Sequence, residues 1–167
     1  MIESLPLHND DVSARWFEDA YERNVSMLHR VCFSYMKNAA DTEDIVSDVF
    51  IKLLRHGAEF QNNEHEKAWL LRTAINLCKD NLKHWWRKRE NIADHDYLES
   101  ENSFHEDETL KIVMELPERY KAAIYLYYYE GYSTAEIADI LKKPRSTVLN
   151  HLHEARKLLK EVLGDEE

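Results

Sequence analysis

The side chains with most chemical potential in this chain are cations and amides at helical spacing, and what they suit is a polyanion. Between Lys67 and Lys88, Arg72, Asn76, Lys79, Lys83 and Arg87 recur every three or four residues and form one polar, basic ridge. Trp85 and Trp86 interrupt its basic end. Cations interleaved with aromatics can neutralise phosphates and stack on unpaired bases. A solvated basic helix end beside the negative pole of its own helix is the plainer alternative. A second polar set lies further on: Lys143, Arg145, Ser146, Thr147, Asn150, His151 and Glu154. Glu154 either accepts from a cytosine amino group or simply weakens phosphate attraction. His151 gains charge on protonation, so tighter nucleic-acid binding is expected at mildly acidic pH. No nucleophile, base or metal set converges elsewhere, so neither an enzyme nor a cofactor or metal is expected.

The elements that must carry these residues are helices. Ser133 precedes a helix and Glu136 follows three residues on, the spacing at which the two side chains cap orphan backbone donors reciprocally. Ile137, Ala138 and Leu141 form its apolar face, and Lys142-Lys143-Pro144 ends it because the residue before proline is pushed out of helical geometry. The next helix has Val148, Leu152, Ala155 and Leu159 in one stripe, with Arg145, Ser146, Thr147, Asn150, His151 and Glu154 on the opposite side. This pair reads as a helix-turn-helix whose second helix enters the major groove; a hairpin in any small helical bundle has the same periodicity.

Upstream, Trp16, Phe17, Ala20, Tyr21, Leu28, Val31, Cys32 and Tyr35 give a long amphipathic pattern with an expected break near Asn24. Asn38 to Asp41 reads as a turn, with Asp41 or Thr42 capping a second helix. Ile45, Val46, Val49, Phe50 and Leu53 face a core there, while Asp44, Asp48, Ile51 and Arg55 line the other side. Ile51 among charges is either part of a protein contact or a lone exposed apolar residue. A third helix is expected over Lys67 to Lys88, with Leu71, Ile75, Cys78 and Leu82 buried. Leu116-Pro117-Glu118-Arg119 opens another helix, and the tyrosines that follow read as packing rather than as a stacking surface.

Three glycines and three prolines in 167 residues favour an all-α fold over a turn-rich sheet protein. The formal charge of −10 is unevenly spread: residues 90–108 hold eight acidic side chains and no basic one, while the flanking segments are nearly balanced. The expected organisation is therefore two small helical domains, 1–89 and 109–167, joined by a flexible acidic linker, 90–108. No apolar run is long enough for a membrane span, and the start, MIESLPLHNDDVS, lacks the order of a secretion signal. Cys32 and Cys78 sit in apolar stripes and read as buried thiols ahead of a disulfide. A cytoplasmic location is expected.

Three segments, in this order and spacing, give the chain a resemblance to bacterial RNA polymerase sigma factors of the extracytoplasmic-function type. They are Asp41 to Arg55 (DTEDIVSDVFIKLLR), Ala68 to Leu77 (AWLLRTAINL), and Leu116 to Tyr120 (LPERY) with the helix-turn-helix beyond it. The gap between the two units is too short for the extra helical domain of larger sigma factors. The resemblance implies that Asp44, Asp48, Ile51 and Arg55 dock on the clamp helices of the largest subunit of core RNA polymerase. It implies that Lys67, Arg72, Asn76, Lys79, Lys83 and Arg87, with the loop Phe60 to Glu66, recognise and melt the proximal promoter element. It assigns Lys143, Arg145, Ser146, Thr147, Asn150, His151 and Glu154 to the distal element. Promoter DNA and core polymerase are then the partners, an anti-sigma factor is a further one, and no membrane insertion is implied. Leu149, His151 and Glu154 stand where family members commonly carry Lys or Arg. A stand-alone helix-turn-helix regulator is the competing function; such proteins usually dimerise, and no dimerisation helix is evident.

Overall fold

A computed structural model describes residues 5–89 and 108–163, with side chains described over residues 14–84, at residue 108 and over residues 110–161. Its elements are α1 (Leu5–Met36), α2 (Ala39–His56), α3 (Asn63–Arg89), α4 (Glu108–Glu115), α5 (Glu118–Ile124), a π-helical turn (Tyr125–Tyr129), α6 (Thr134–Leu141) and α7 (Arg145–Leu163). The described residues are thus all-α, as composition requires. The expected linker falls outside them, except for Glu108, which opens α4.

Helices α1, α2 and α3 form the N-terminal unit. Ile45, Val46, Val49, Phe50 and Leu53 of α2 are buried against α1 and α3, each apolar side chain contributing about 1.5–3 kcal/mol. Leu70, Leu71, Ala74, Ile75 and Cys78 bury one side of α3. The helix boundaries correct the sequence in three places. First, α1 runs unbroken through Asn24, whose side chain is buried and donates to the Ala20 carbonyl at 2.8 Å and to Glu66 at 3.1 Å. A polar residue mistaken for a break is a tie between helices. Second, the cap of α2 is Asn38, three or four residues before the expected Asp41 or Thr42, and its side chain accepts from the Asp41 N–H at 2.8 Å. Third, α3 starts at Asn63, so the loop before it is 57–62 and Glu66 is already helical.

The C-terminal unit comprises α4 to α7. Ser133 and Glu136 make the expected reciprocal cap of α6. Lys142 ends α6 in the left-handed conformation, φ 52°, and α7 begins directly after Pro144. Val148, Leu152 and Ala155 are buried as the stripe predicts. The π turn is a local widening that buries Tyr125 completely and leaves Tyr127 and Tyr128 exposed. Packing explains the first of these tyrosines and not the other two.

The two units do not stand apart. Their buried side chains form one continuous apolar cluster, and α4 and α5 pack on α1 while α6 packs on α3.

Candidate functional site

On α2, Asp44, Asp48, Ile51 and Arg55 are all exposed, as the spacing predicts. Ile51, 45% exposed, is not alone. Leu54 (54%) and Tyr21 (44%) are also exposed, and all three line a groove of about 440 Å³ between α1 and α2, floored by Phe17, Val46 and Phe50. Sequence reasoning missed Tyr21 and Leu54, although Leu54 lies three residues from Ile51 on the same helix. The reading of Ile51 as a lone apolar residue does not survive this geometry. Arg55 parts company with the set by turning into a different cleft.

That second cleft, about 520 Å³, lies between α2 and α3 and is lined by Lys52, Arg55, His56, Trp69, Arg72 and Asn76, with Thr73, Leu77 and Asp80. Cations outnumber the one carboxylate. At the cleft and its adjoining loop stands an aromatic cluster: His56 stacks on Phe60 at 4.6 Å, and Trp69 approaches His56 at 4.8 Å and Phe60 at 5.7 Å. The loop leaves α2 through Gly57, whose φ of 85° suits glycine and whose N–H donates to the Leu53 carbonyl at 2.9 Å. Flat rings beside guanidinium and ammonium groups can hold an unpaired base and its phosphate. Lys52, His56 and Trp69 add to the residues chosen from the sequence, Phe60 belongs to the loop already singled out by the resemblance, and Arg72 and Asn76 line the same cleft.

The rest of the ridge goes elsewhere. Lys67 forms an ion pair with Glu130 of the C-terminal unit at 2.9 Å. Lys79 is half-buried; burial lowers its pKa, and the nearby Lys143 lowers it further. Lys83 is exposed, and Arg87 lies outside the described side chains. The expectation of one continuous basic surface is thereby corrected: packing of the second unit divides it.

On α7, Arg145, Ser146 and Asn150 are exposed, whereas Thr147, His151 and Glu154, with Lys143 before the helix, are half-buried. The His151 ring meets Tyr120 edge-on at 5.6 Å. Its pKa is lowered by burial first, then by Lys143, Lys79 and Arg119. The expected gain of charge at mildly acidic pH is therefore opposed. A feature unseen in the sequence is Arg156, whose Nε donates to the Tyr128 hydroxyl at 3.0 Å while its guanidinium lies over Tyr127 at 5.2 Å.

Sigma-70 region 2 matches residues 20–89, and Sigma-70, region 4 matches residues 106–159. The RNA polymerase sigma factor SigV of Bacillus subtilis is 30% identical over 145 residues, covering 84% of this chain and 86% of that protein. The ECF RNA polymerase sigma factor SigW of the same organism is 24% identical, covering 89% of both. In fold, the chain is similar to the sigma factor RpoE solved with the anti-sigma factor NepR from Bartonella quintana. That likeness has a TM-score of 0.69 and 20% identity, covering 90% of this chain and 98% of that one. CnrH, solved with the cytosolic domain of CnrY, gives a TM-score of 0.64 at 20% identity, covering 90% of this chain and 89% of that one. The chain belongs to the extracytoplasmic-function sigma factors of bacterial RNA polymerase. Its function is the promoter-directed initiation of transcription. Among the described residues, no helix is long and apolar enough to cross a membrane.

Proposed function

We propose that the chain divides this work among three surfaces. The exposed α2 face, Asp44, Asp48 and Ile51 with Leu54 and Tyr21, docks on the clamp helices of core polymerase. The α2–α3 cleft, with Arg55, Arg72, Asn76 and the aromatic cluster, takes the proximal promoter element and holds an unpaired base, while Lys67, Lys79, Lys83 and Arg87 contact phosphates. The start of α7, from Lys143 through Glu154, reads the distal element in the major groove. Nucleotide addition belongs to the polymerase, and the protein works in the cytoplasm. Residues 1–89 and 109–167 act as the two domains, with 90–108 as the tether between them.

The observation that carries this reading is the separation of chemistry on α2: acidic and apolar on the face away from α3, cationic and aromatic towards it. One side suits a protein and the other a nucleic acid. A net charge of −10 fits a specificity subunit that leaves most phosphate neutralisation to its partner. Runoff transcription on genomic fragments, with purified core polymerase and with or without this chain, tests the reading. Discrete transcripts that depend on the chain are expected. No transcript, together with tight binding of a defined duplex by the chain alone, would replace it with a stand-alone regulator.

A further inference from the structure

We propose that Leu149 is a specificity determinant of this chain, seated in the major groove against the 5-methyl group of a thymine in the distal promoter element. The inference rests on the promoter reading above and names the base that one side chain selects.

An exposed leucine means little by itself; its company decides. Among the exposed large apolar side chains, Tyr21, Ile51 and Leu54 share the groove beside α2, and Tyr127 and Tyr128 hold Arg156. Leu149, 48% exposed, belongs to neither group. The core imposes that exposure. Val148 and Leu152 are 1% exposed and Ala155 is fully buried, so α7 cannot turn about its axis without emptying the stripe. With about 100° between successive side chains, burying Val148 turns Leu149 and Asn150 outward. The start of the helix is fixed as well: the Pro144 carbonyl accepts from the Thr147 N–H at 3.0 Å and from the Val148 N–H at 3.3 Å. Ser146, Leu149, Asn150 and His153 are all exposed and share one helix face, whereas Thr147, His151 and Glu154 are half-buried on its flank. The ridge free to meet base edges therefore includes Leu149 and His153, which spacing alone did not select.

Charge says what that ridge meets. From Arg145 to Lys160 the exposed side chains of α7 include four cations, Arg145, Arg156, Lys157 and Lys160, and no carboxylate. In a chain of net charge −10 this is a local excess of the opposite sign. The exposed apolar side chains of α2, by contrast, have Asp44 and Asp48 beside them. A leucine framed by cations suits an apolar spot on a polyanion. The major groove offers such a spot at each A·T pair, the thymine methyl. Ser146, Asn150 and His153 carry donors and acceptors for neighbouring base edges; the leucine carries neither. A cytosine in that place lacks the methyl and turns an amino donor towards the leucine, where it loses water without gaining a partner.

The test uses the full chain with core polymerase on a promoter fragment that supports runoff transcription. Deoxyuridine replaces each thymidine in turn in the duplex upstream of the melted region, which removes one methyl group and keeps the base pair. With polymerase limiting, one position should lower runoff about fourfold, the contribution of one buried methyl or methylene group. Leu149→Ala should lower runoff from the unmodified fragment at least as much, and deoxyuridine at that position should then change nothing further. Alanine forms helix at least as well as leucine, so α7 is kept, and circular dichroism checks it. A methyl effect that persists in Leu149→Ala, or no methyl-sensitive thymine at all, would overturn the inference. So would an equal loss of affinity for core polymerase without promoter, which would give the leucine to a protein contact. Runoff from no genomic fragment would remove the promoter reading, and this inference with it.

Discussion

Removing Arg23 should destabilise the N-terminal unit because it strands a buried carboxylate. Glu66 lies in the first turn of α3, is 3% exposed, and accepts from Arg23 Nη2 at 2.9 Å and from the Asn24 amide at 3.1 Å. In Arg23→Ala only the neutral amide and the positive pole of α3 remain to oppose that charge. Breaking a fully buried pair costs about 3–5 kcal/mol. The Arg23 side chain is 37% exposed, so solvent screens part of the loss and about 2 kcal/mol is expected. Glu66→Gln keeps an acceptor for Asn24 and frees Arg23 into water, costing about 1 kcal/mol. The double variant should cost little more than Glu66→Gln alone, leaving a coupling of roughly 1.5 kcal/mol. Urea unfolding of the full chain, followed by circular dichroism, should place the Arg23→Ala midpoint about 1 M below the parent at unchanged slope. Additive single effects, or an Arg23→Ala cost under about 0.5 kcal/mol, would show that the contact is not an anchor. Because Glu66 adjoins Lys67 in the first turn of α3, Arg23→Ala should also weaken promoter opening.

Asp48→Arg should reduce affinity for core polymerase by about tenfold through like-for-unlike charge replacement at an interface, measured by fluorescence anisotropy; unchanged affinity would remove α2 from the docking surface. Changing Lys79 and Lys83 together to Ala should lower open-complex yield in permanganate footprinting more than polymerase binding. It should also make the slope of log affinity against log salt shallower by up to about 1.8, with both side chains on duplex phosphates. Equal yields would leave those lysines as solvated surface. Burial, helped by Lys37 and opposed by Glu118 and Glu115, lowers the Lys121 pKa from 10.5 to about 8. A state in which Lys121 has left the Ser34 carbonyl for water therefore holds more protons between those values, and the packing of α5 on α1 strengthens as pH rises through that window and weakens as pH falls towards 8. Scattering should give a smaller radius at pH 9.5 than at pH 7.5, a difference that Lys121→Gln abolishes. Ser133→Ala should cost about 1 kcal/mol by removing half of the reciprocal cap of α6, read from the thermal midpoint.

Local spacing carried much of this protein. The α2 stripe from Ile45 to Leu53, the Ser133–Glu136 cap, and the Val148–Leu152–Ala155 face follow from helical periodicity and from orphan donors at helix starts, which depend on residues only a few positions apart. With Leu116–Tyr120 and the Ala68–Leu77 segment, that was enough to place the chain in its family. Periodicity marks which side of a helix is covered but not what covers it. Lys79 therefore reads as an outward cation although it is half-buried against the second unit, and Asn24 reads as a break although it is a buried tie. Only tertiary packing could join Arg23 to Glu66, Lys67 to Glu130, and Lys121 to a carbonyl 87 residues away. A polar side chain takes whichever remote partner the apolar surfaces bring within reach, and the geometry of that meeting belongs to the assembled helices rather than to any one of them.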